Sequence, residues 1–185
     1  MRRELNLWVF GGDMRQGKLA QLLAEDGHRV HTYALEEGVS PGGELTVEKT
    51  LAGAEEADCI ILPLPVSSGD GELNCPLSQQ QPTLATVLDA LVPGQMVCGG
   101  RVDPVTTALA EERGIHILDY FAREELAVAN AVPTAEGAVQ IAMEQMPITI
   151  HGARVLVVGF GRVGRIVAQR MAALGAKVTV AARRY

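Results

Sequence analysis

The feature that most restricts the fold is an alternation, sustained from residue 5 to residue 146, of short apolar runs with segments of helical spacing. LNLWVF (5–10) is broken by Gly11-Gly12 and followed by RQGKLAQLLAEDG (15–27), where Leu19, Leu22 and Leu23 recur at helical spacing and Gly27 is a stop signal. RVHTYA (29–34) alternates as a strand does. EGVSPGGE is a loop, VEKTLAGAEEA (47–57) a predicted short helix, and DCIILPLP (58–65) a buried strand ended by Pro63 and Pro65. SSGDGELNCP (67–76) is a long polar loop. QPTLATVLDALVPG is a helix, QMVCGG a strand, DPVTTALAEERG a helix with Pro104 in its first turn, and IHILDY a strand. Five β-α repeats imply an α/β fold: a doubly wound parallel sheet with helices on both faces and right-handed crossovers. A longer helical run, TAEGAVQIAMEQM (134–146), then leads to a boundary around Pro147–Gly152. The expected division is therefore 1–147, including this hinge helix, and 148–185.

Bulk properties narrow the function. A chain of 185 residues holds one ordinary domain, or one domain and part of a second. No apolar run approaches the eighteen residues of a membrane span, and LNLWVF after two arginines is too short for a secretory leader. Cys59, Cys75 and Cys98 lack metal-ligand spacing and cannot all pair, which fits a reducing cytoplasm and no metal site. The net charge of −6 argues against nucleic acid as a partner.

The sharpest motif lies in RVLVVGFGRVGRIVAQRMAALGAKVTVAARRY. Gly159, Gly161 and Gly164 form GxGxxG between an apolar strand and a helix, with Arg162 and Val163 inside the motif and a second strand, KVTVA, beyond. The first glycine permits the tight turn, the second lets a diphosphate approach the backbone, and the third packs helix on strand. Free N–H groups at the helix start favour the phosphates. The second strand ends at Ala182, Arg183 and Arg184, where an NAD site usually places a carboxylate for the ribose 2′-hydroxyl. Without that carboxylate, and with guanidinium groups able to pair with a 2′-phosphate, NADP is the expected cofactor.

The first β-α-β unit only imitates such a fingerprint: Gly11, Gly12 and Gly17 are wrongly spaced, and Asp13 sits where phosphate would need neutral backbone. A ligand there should meet Arg15. The loops after the third, fourth and fifth strands (PLPVSSGDG, GGR and DYFAREE) belong to the same carboxyl edge, so Arg15 and Arg101 are expected to open toward one crevice and hold a small carboxylate ligand. In NAVPTAEGAVQIAME (130–144), Thr134 after Pro133 reads as an N-cap with Glu136 in the first turn. Asn130 is unexplained by capping, and the start of this helix is expected to face an inter-domain cleft. No histidine falls in any motif, which leaves Glu136 and Asp13 as the acid/base candidates.

GGDMRQ, GGR, NAVPTAEGAVQIAME and VLVVGFGRVG, in this order, resemble the dipicolinate synthase A family of bacteria. The resemblance covers the whole chain. It implies a flavodoxin-like doubly wound domain followed by a Rossmann domain, of which this chain carries the first β-α-β unit. It also implies NADP-dependent oxidation of a dihydrodipicolinate-type precursor to dipicolinate in the cytoplasm of the mother cell of a sporulating bacterium. The implied partner is dipicolinate synthase B, the flavoprotein-like second component of the same synthase. The family arginines map onto Arg15 and Arg101, and its polar helix residues onto Asn130, Thr134 and Glu136.

The family continues with further β-α units where this chain stops at Tyr185, and a lone strand-helix-strand unit leaves strand edges exposed. Three readings stay open: a fragment, a half-domain completed by a partner or a swapped copy in a homo-oligomer, or a non-catalytic relative. Two other functions compete with dipicolinate synthesis. One is a non-enzymatic NADP(H)-sensing or assembly module; the other is a two-domain dehydrogenase for a 2-hydroxy or 2-amino acid.

Overall fold

The computed structural model describes residues 3–40, 42–69 and 71–183. The chain forms two compact units, Met1–Ala122 and Arg123–Tyr185.

In the first unit the chain runs β1 (Asn6–Phe10), α1 (Met14–Glu25), β2 (Arg29–Tyr33), β3 (Leu45–Glu48), β4 (Cys59–Ile61), β5 (Ser67–Gly69), β6 (Glu72–Leu73), α2 (Leu84–Asp89), β7 (Met96–Gly99), α3 (Pro104–Glu111) and β8 (Ile117–Asp119). Six of these strands form one sheet in the order β3-β2-β1-β4-β7-β8, and every pairing in it is parallel. Alternate residues of β1 serve opposite faces, as the strand period of two requires. Leu7 and Val9 join Ala20 of α1, Val30 and Leu45 in one buried cluster. Trp8 and Phe10 join Ile60, Leu84, Val87 and Leu88 of α2 and Ala110 of α3 in the other. Burial on both faces is why β1 and β4 read as unbroken apolar runs.

Helices α2 and α3 start on polar caps. Thr83 Oγ1 accepts from the Thr86 amide at 3.1 Å, and Asp103 Oδ1 accepts from the amides of Val105 and Thr106 at 2.9 and 3.0 Å. The Thr106 hydroxyl adds a bond to Asp103 Oδ2 at 2.7 Å, and these bonds hold the Asp103 carboxyl below its ordinary value near 3.8. Asp103→Ala should therefore cost about 1 kcal/mol in urea unfolding at neutral pH. A depressed folded-state value stabilises above the unfolded value, so the wild-type advantage should shrink as pH falls through 3.8 and below.

Two segments of the first unit differ from the sequence expectation. The helix expected at 47–57 is the end of edge strand β3 followed by a 3-10 turn, Ala54–Glu56. Val47 and Glu48 pair with Thr32 and Tyr33, and Gly53 at φ +95° leaves the helical region. The polar loop at 67–76 contains the antiparallel pair β5–β6. Its composition hid the strands because only Leu73 and Cys75 turn into the core.

The second unit consists of α4 (Glu124–Gln145), β9 (Arg154–Val158), α5 (Arg162–Ala173) and β10 (Lys177–Ala181). β9 and β10 pair in parallel through the α5 crossover. Helix α4 starts well before the expected Thr134 and runs through Pro133. Glu124 and Glu125 in the first turn complement the helix dipole, and the following LAVANA favours a helix. Thr134 is consequently no N-cap; its hydroxyl donates to the Asn130 carbonyl at 2.7 Å, one turn back. Ala131 and Ala135 are buried, and α4 packs on α5, so the compact units divide at 122/123 and the expected hinge helix groups with the second. Among the described residues no helix is long and apolar enough to cross a membrane.

Candidate functional site

In the first sheet β1 lies between β2 and β4, and the chain leaves β1 for one side before returning to the other. The loops beyond the carboxyl ends of β1 and β4 therefore diverge, which is where open parallel sheets form their ligand crevice. Asp13 and Arg15 stand just beyond the first of these strands and Leu64 beyond the second. Asp13 caps α1 by accepting from the Arg15 amide at 2.9 Å, and its carboxylate also takes the guanidinium through Nε (3.0 Å) and Nη2 (2.8 Å). Arg15 Nη2 reaches the Leu64 carbonyl at 3.4 Å.

The guanidinium beside it holds the Asp13 carboxyl below the usual carboxylate range, and Asp13 in turn raises Arg15. Asp13 is thus an ionised cap that aims a cation, which suits it poorly to proton transfer near neutral pH. The Arg15 side chain stays 66% exposed, so a ligand has access to it.

The next loop along the edge, Gly99-Gly100-Arg101, is pinned from β8. Asp119 accepts from the Arg101 and Val102 amides at 3.0 and 3.1 Å and from the Phe121 amide at 2.8 Å. Gly100 has no room for a side chain: a Cβ there would lie 2.7 Å from Tyr120 Cε2 and 2.8 Å from Leu64 Cδ1. Tyr120 and Leu64 thus meet over Gly100, Leu64 reaches Arg15 through its carbonyl, and the Tyr120 phenol and the Arg15 guanidinium lie within range of each other's charge.

Arg101 is held at φ +55° by the same pinned turn and lines a different cavity of about 650 Å3, with Pro65, Ser67, Ser68, Asp103 and Thr106. Asp13, Arg15 and Tyr120 are absent from that wall. Arg15 and Arg101 lie on neighbouring loops, and the Asp119 bonds set Arg101 on the α3 side, so of the two only Arg101 lines this cavity. Sequence reading placed the DYFAREE loop at this edge but singled out neither Asp119 nor Tyr120. Their only signal was an acidic residue at the end of the last strand with an aromatic directly after it.

In the second unit, Gly159 directly follows β9, and its amide donates to the Ala181 carbonyl at 2.7 Å, fastening the turn to the end of β10. A Cβ on Gly164 would overlap the Gly159 carbonyl, which accounts for the third glycine, whereas the space over Gly161 is open. That combination fits a diphosphate approaching the helix start. A cavity of about 980 Å3 at the carboxyl ends of β9 and β10 is lined by Val158, Gly159, Phe160, Ala181, Ala182 and Arg183. Arg184 lies outside the described residues. Val163 is exposed in the first turn of α5. Arg162 pairs with Glu124 of α4, its Nε at 2.8 Å from Oε1 and Nη2 on Oε2, so it is engaged within the protein. Phe160, which the sequence reading did not single out, carries the Arg165 guanidinium 5.2 Å above its ring.

The helix residues are arranged along α4. Asn130 accepts the Thr134 hydroxyl through its carbonyl, and Glu136 Oε1 pairs with Arg170 Nη2 of α5 at 3.0 Å.

A flavodoxin-like parallel sheet with a polar carboxyl edge, followed by a strand-GxGxxG-helix-strand unit, defines a two-unit α/β protein of the Rossmann-containing type. Residues 6–121, more than half of the chain, match the N-terminal domain of dipicolinate synthase A. The chain belongs to the dipicolinate synthase A family. Residues 109–185 match the NAD-binding domain of D-isomer-specific 2-hydroxyacid dehydrogenases. Dipicolinate synthase A of Bacillus subtilis (strain 168) is 30% identical over 183 residues, covering 97% of this chain and 61% of the relative. Its crystal structure superposes with a TM-score of 0.81 at 28% identity, over 100% of this chain and 62% of that one. The crystal structure of the Bacillus halodurans dipicolinate synthase A also gives 0.81, at 26% identity over 98% and 64%. This chain therefore spans about three fifths of the length of these relatives.

Proposed function

We propose that this protein belongs to an NADP-dependent oxidoreductase that converts a dihydrodipicolinate-type precursor to pyridine-2,6-dicarboxylate. Its partner in this reading is dipicolinate synthase B, and its setting the mother cell of a sporulating bacterium. The observation that carries the reading is Arg15, aimed by Asp13 at the switch point of the first sheet, in a chain of this family. A guanidinium anchored on one edge and solvated on the other suits a ring carboxylate. Arg101, in the neighbouring cavity, supplies a second cation for the same class of ligand.

In this reading the Gly159–Gly161 turn receives the diphosphate, Gly164 lets α5 pack close behind it, Arg162 and Val163 stand at the helix start, and Arg183, with Arg184 on its sequence position alone, is assigned to the 2′-phosphate. When bound, NADP+ supplies the hydride acceptor. The dihydropyridine ring gives up one hydride and one ring proton, yielding the aromatic dicarboxylate, NADPH and a proton. Asp13 holds Arg15 rather than taking that proton. Glu136, the other candidate base, has to part from Arg170 to accept it; Asn130 and Thr134 precede it on α4.

The test is a titration of the chain with NADPH and NADH. Tighter binding of NADPH by about tenfold or more, lost in Arg183→Ala, is expected from a charge-assisted pair to the 2′-phosphate. Equal affinities would sink the NADP assignment, and binding of neither would sink the dinucleotide site. In turnover, reduction of NADP+ that depends on the dihydropyridine dicarboxylate is the expected activity. NADPH binding without turnover, in the presence of dipicolinate synthase B, would favour the sensing or assembly reading instead.

A further inference from the structure

We propose that Tyr120 is a ligand-positioning residue of the Arg15 site, its hydroxyl donating a hydrogen bond to the carboxylate that Arg15 holds. This rests on the reading of that site as a dicarboxylate holder. Three contacts place the phenol. Its ring edge, Cε2 and Cζ, occupies the position a Cβ on Gly100 would need, and Cζ is the atom that bears the hydroxyl. Leu64 closes the same spot with Cδ1 while its carbonyl faces Arg15 Nη2. Asp119, immediately before Tyr120, fixes the backbone on both sides by accepting from Arg101, Val102 and Phe121. A ring clamped between a glycine and Leu64, with its backbone pinned by these hydrogen bonds, needs little ordering when a ligand arrives.

The chemistry fits the position. A phenol is a donor that an anion can accept from, and it does not compete with Arg15 for charge. Burial pushes the Tyr120 phenol up to about 12, so the proton stays on oxygen throughout the neutral range. Among the described residues no hydrogen bond engages that hydroxyl, although the ring is half-buried. Tyr120 lies close enough to Arg15 for their charges to interact, so the free phenol donor and the aimed guanidinium can serve one carboxylate together. Gly100 gains a further role: its missing side chain lets the ring lie close to Leu64 and Arg15.

Tyr120→Phe keeps the ring and removes only the donor, so the fold should be retained. The probe is pyridine-2,6-dicarboxylate, titrated calorimetrically against wild type, Tyr120→Phe and Arg15→Ala. The expected result is a loss of about tenfold in Tyr120→Phe, the size of a hydrogen bond to a charged group. A fluorinated tyrosine at position 120, which loses its proton at lower pH without a change in packing, should make affinity fall at a pH where wild type still binds fully, a readout that a packing role would not produce. If wild type binds, Arg15→Ala does not, and Tyr120→Phe matches wild type, the Tyr120 inference falls while the dicarboxylate reading stands. If wild type itself fails to bind, both fall.

Discussion

Replacing Arg15 by Ala is expected to weaken binding of pyridine-2,6-dicarboxylate by about two orders of magnitude. That magnitude follows from removing a bidentate charge-assisted contact, which costs roughly 2–5 kcal/mol when one partner is truncated. Arg15 is well placed for such an effect because Asp13 and the Leu64 carbonyl hold its fork in one orientation before any ligand arrives. Arg15→Lys keeps the charge but loses the planar fork, so its affinity should fall between wild type and Ala. Folding should hardly change, since the Arg15–Asp13 pair is exposed and such pairs contribute little to stability. Affinity unchanged in Arg15→Ala would remove the ligand from the β1 switch point altogether.

The largest expected stability effect is at Gly17. A Cβ there would overlap the Gly38 carbonyl, which is backbone and cannot rotate away. Gly17→Ala should therefore cost about 3 kcal/mol or more, as overpacking against a fixed group does. Trp8 is the sole tryptophan and is buried in the first unit, so its fluorescence in a urea titration reports this change directly. Gly137 provides the contrast. It lies inside α4 with open space where a Cβ would go, so Gly137→Ala should leave that signal unchanged and stabilise the helix by up to about 1 kcal/mol, read by circular dichroism. A small cost at Gly17 would mean that α1 can move off the Gly38 loop.

Gly17 also separates what is local from what is not. It failed as part of a phosphate fingerprint because its spacing from Gly11 and Gly12 is wrong. In the fold it nevertheless performs the task of a third fingerprint glycine, letting a helix approach a neighbouring carbonyl. Gly164 does the same against Gly159, and there the spacing made the role legible in advance. The difference is range. Gly164 meets a carbonyl within its own motif, while Gly17 meets one that lies across β2 and in the loop beyond it.

Periodicity carried most of the architecture for a related reason. Strand and helix patterns, helix-start signals such as Pro104 and stops such as Gly27 are consequences of neighbouring residues, so the doubly wound sheet and the β-α-β unit could be read directly. Errors arose where a distant contact outweighed a local signal. Pro133-Thr134 has the form of a helix start, yet α4 runs through it because the segment before it is helical and the helix packs on α5. The 47–57 segment has helical composition, yet Val47 and Glu48 complete the sheet beside β2.

The sequence by itself determined the fold class, the glycine fingerprint, the family and the choice of Arg15 as a candidate ligand holder. Each of those depends on residue order within one element or one loop. Only the tertiary structure decided that Asp13 is the partner of Arg15 and not a free acid, that Arg101 lines a separate cavity, and that Tyr120 stands over Gly100 next to Leu64. These are relations between loops that follow different strands. Only the order of strands in the sheet, which places β4 beside β1 and β8 beside β7, brings their side chains together.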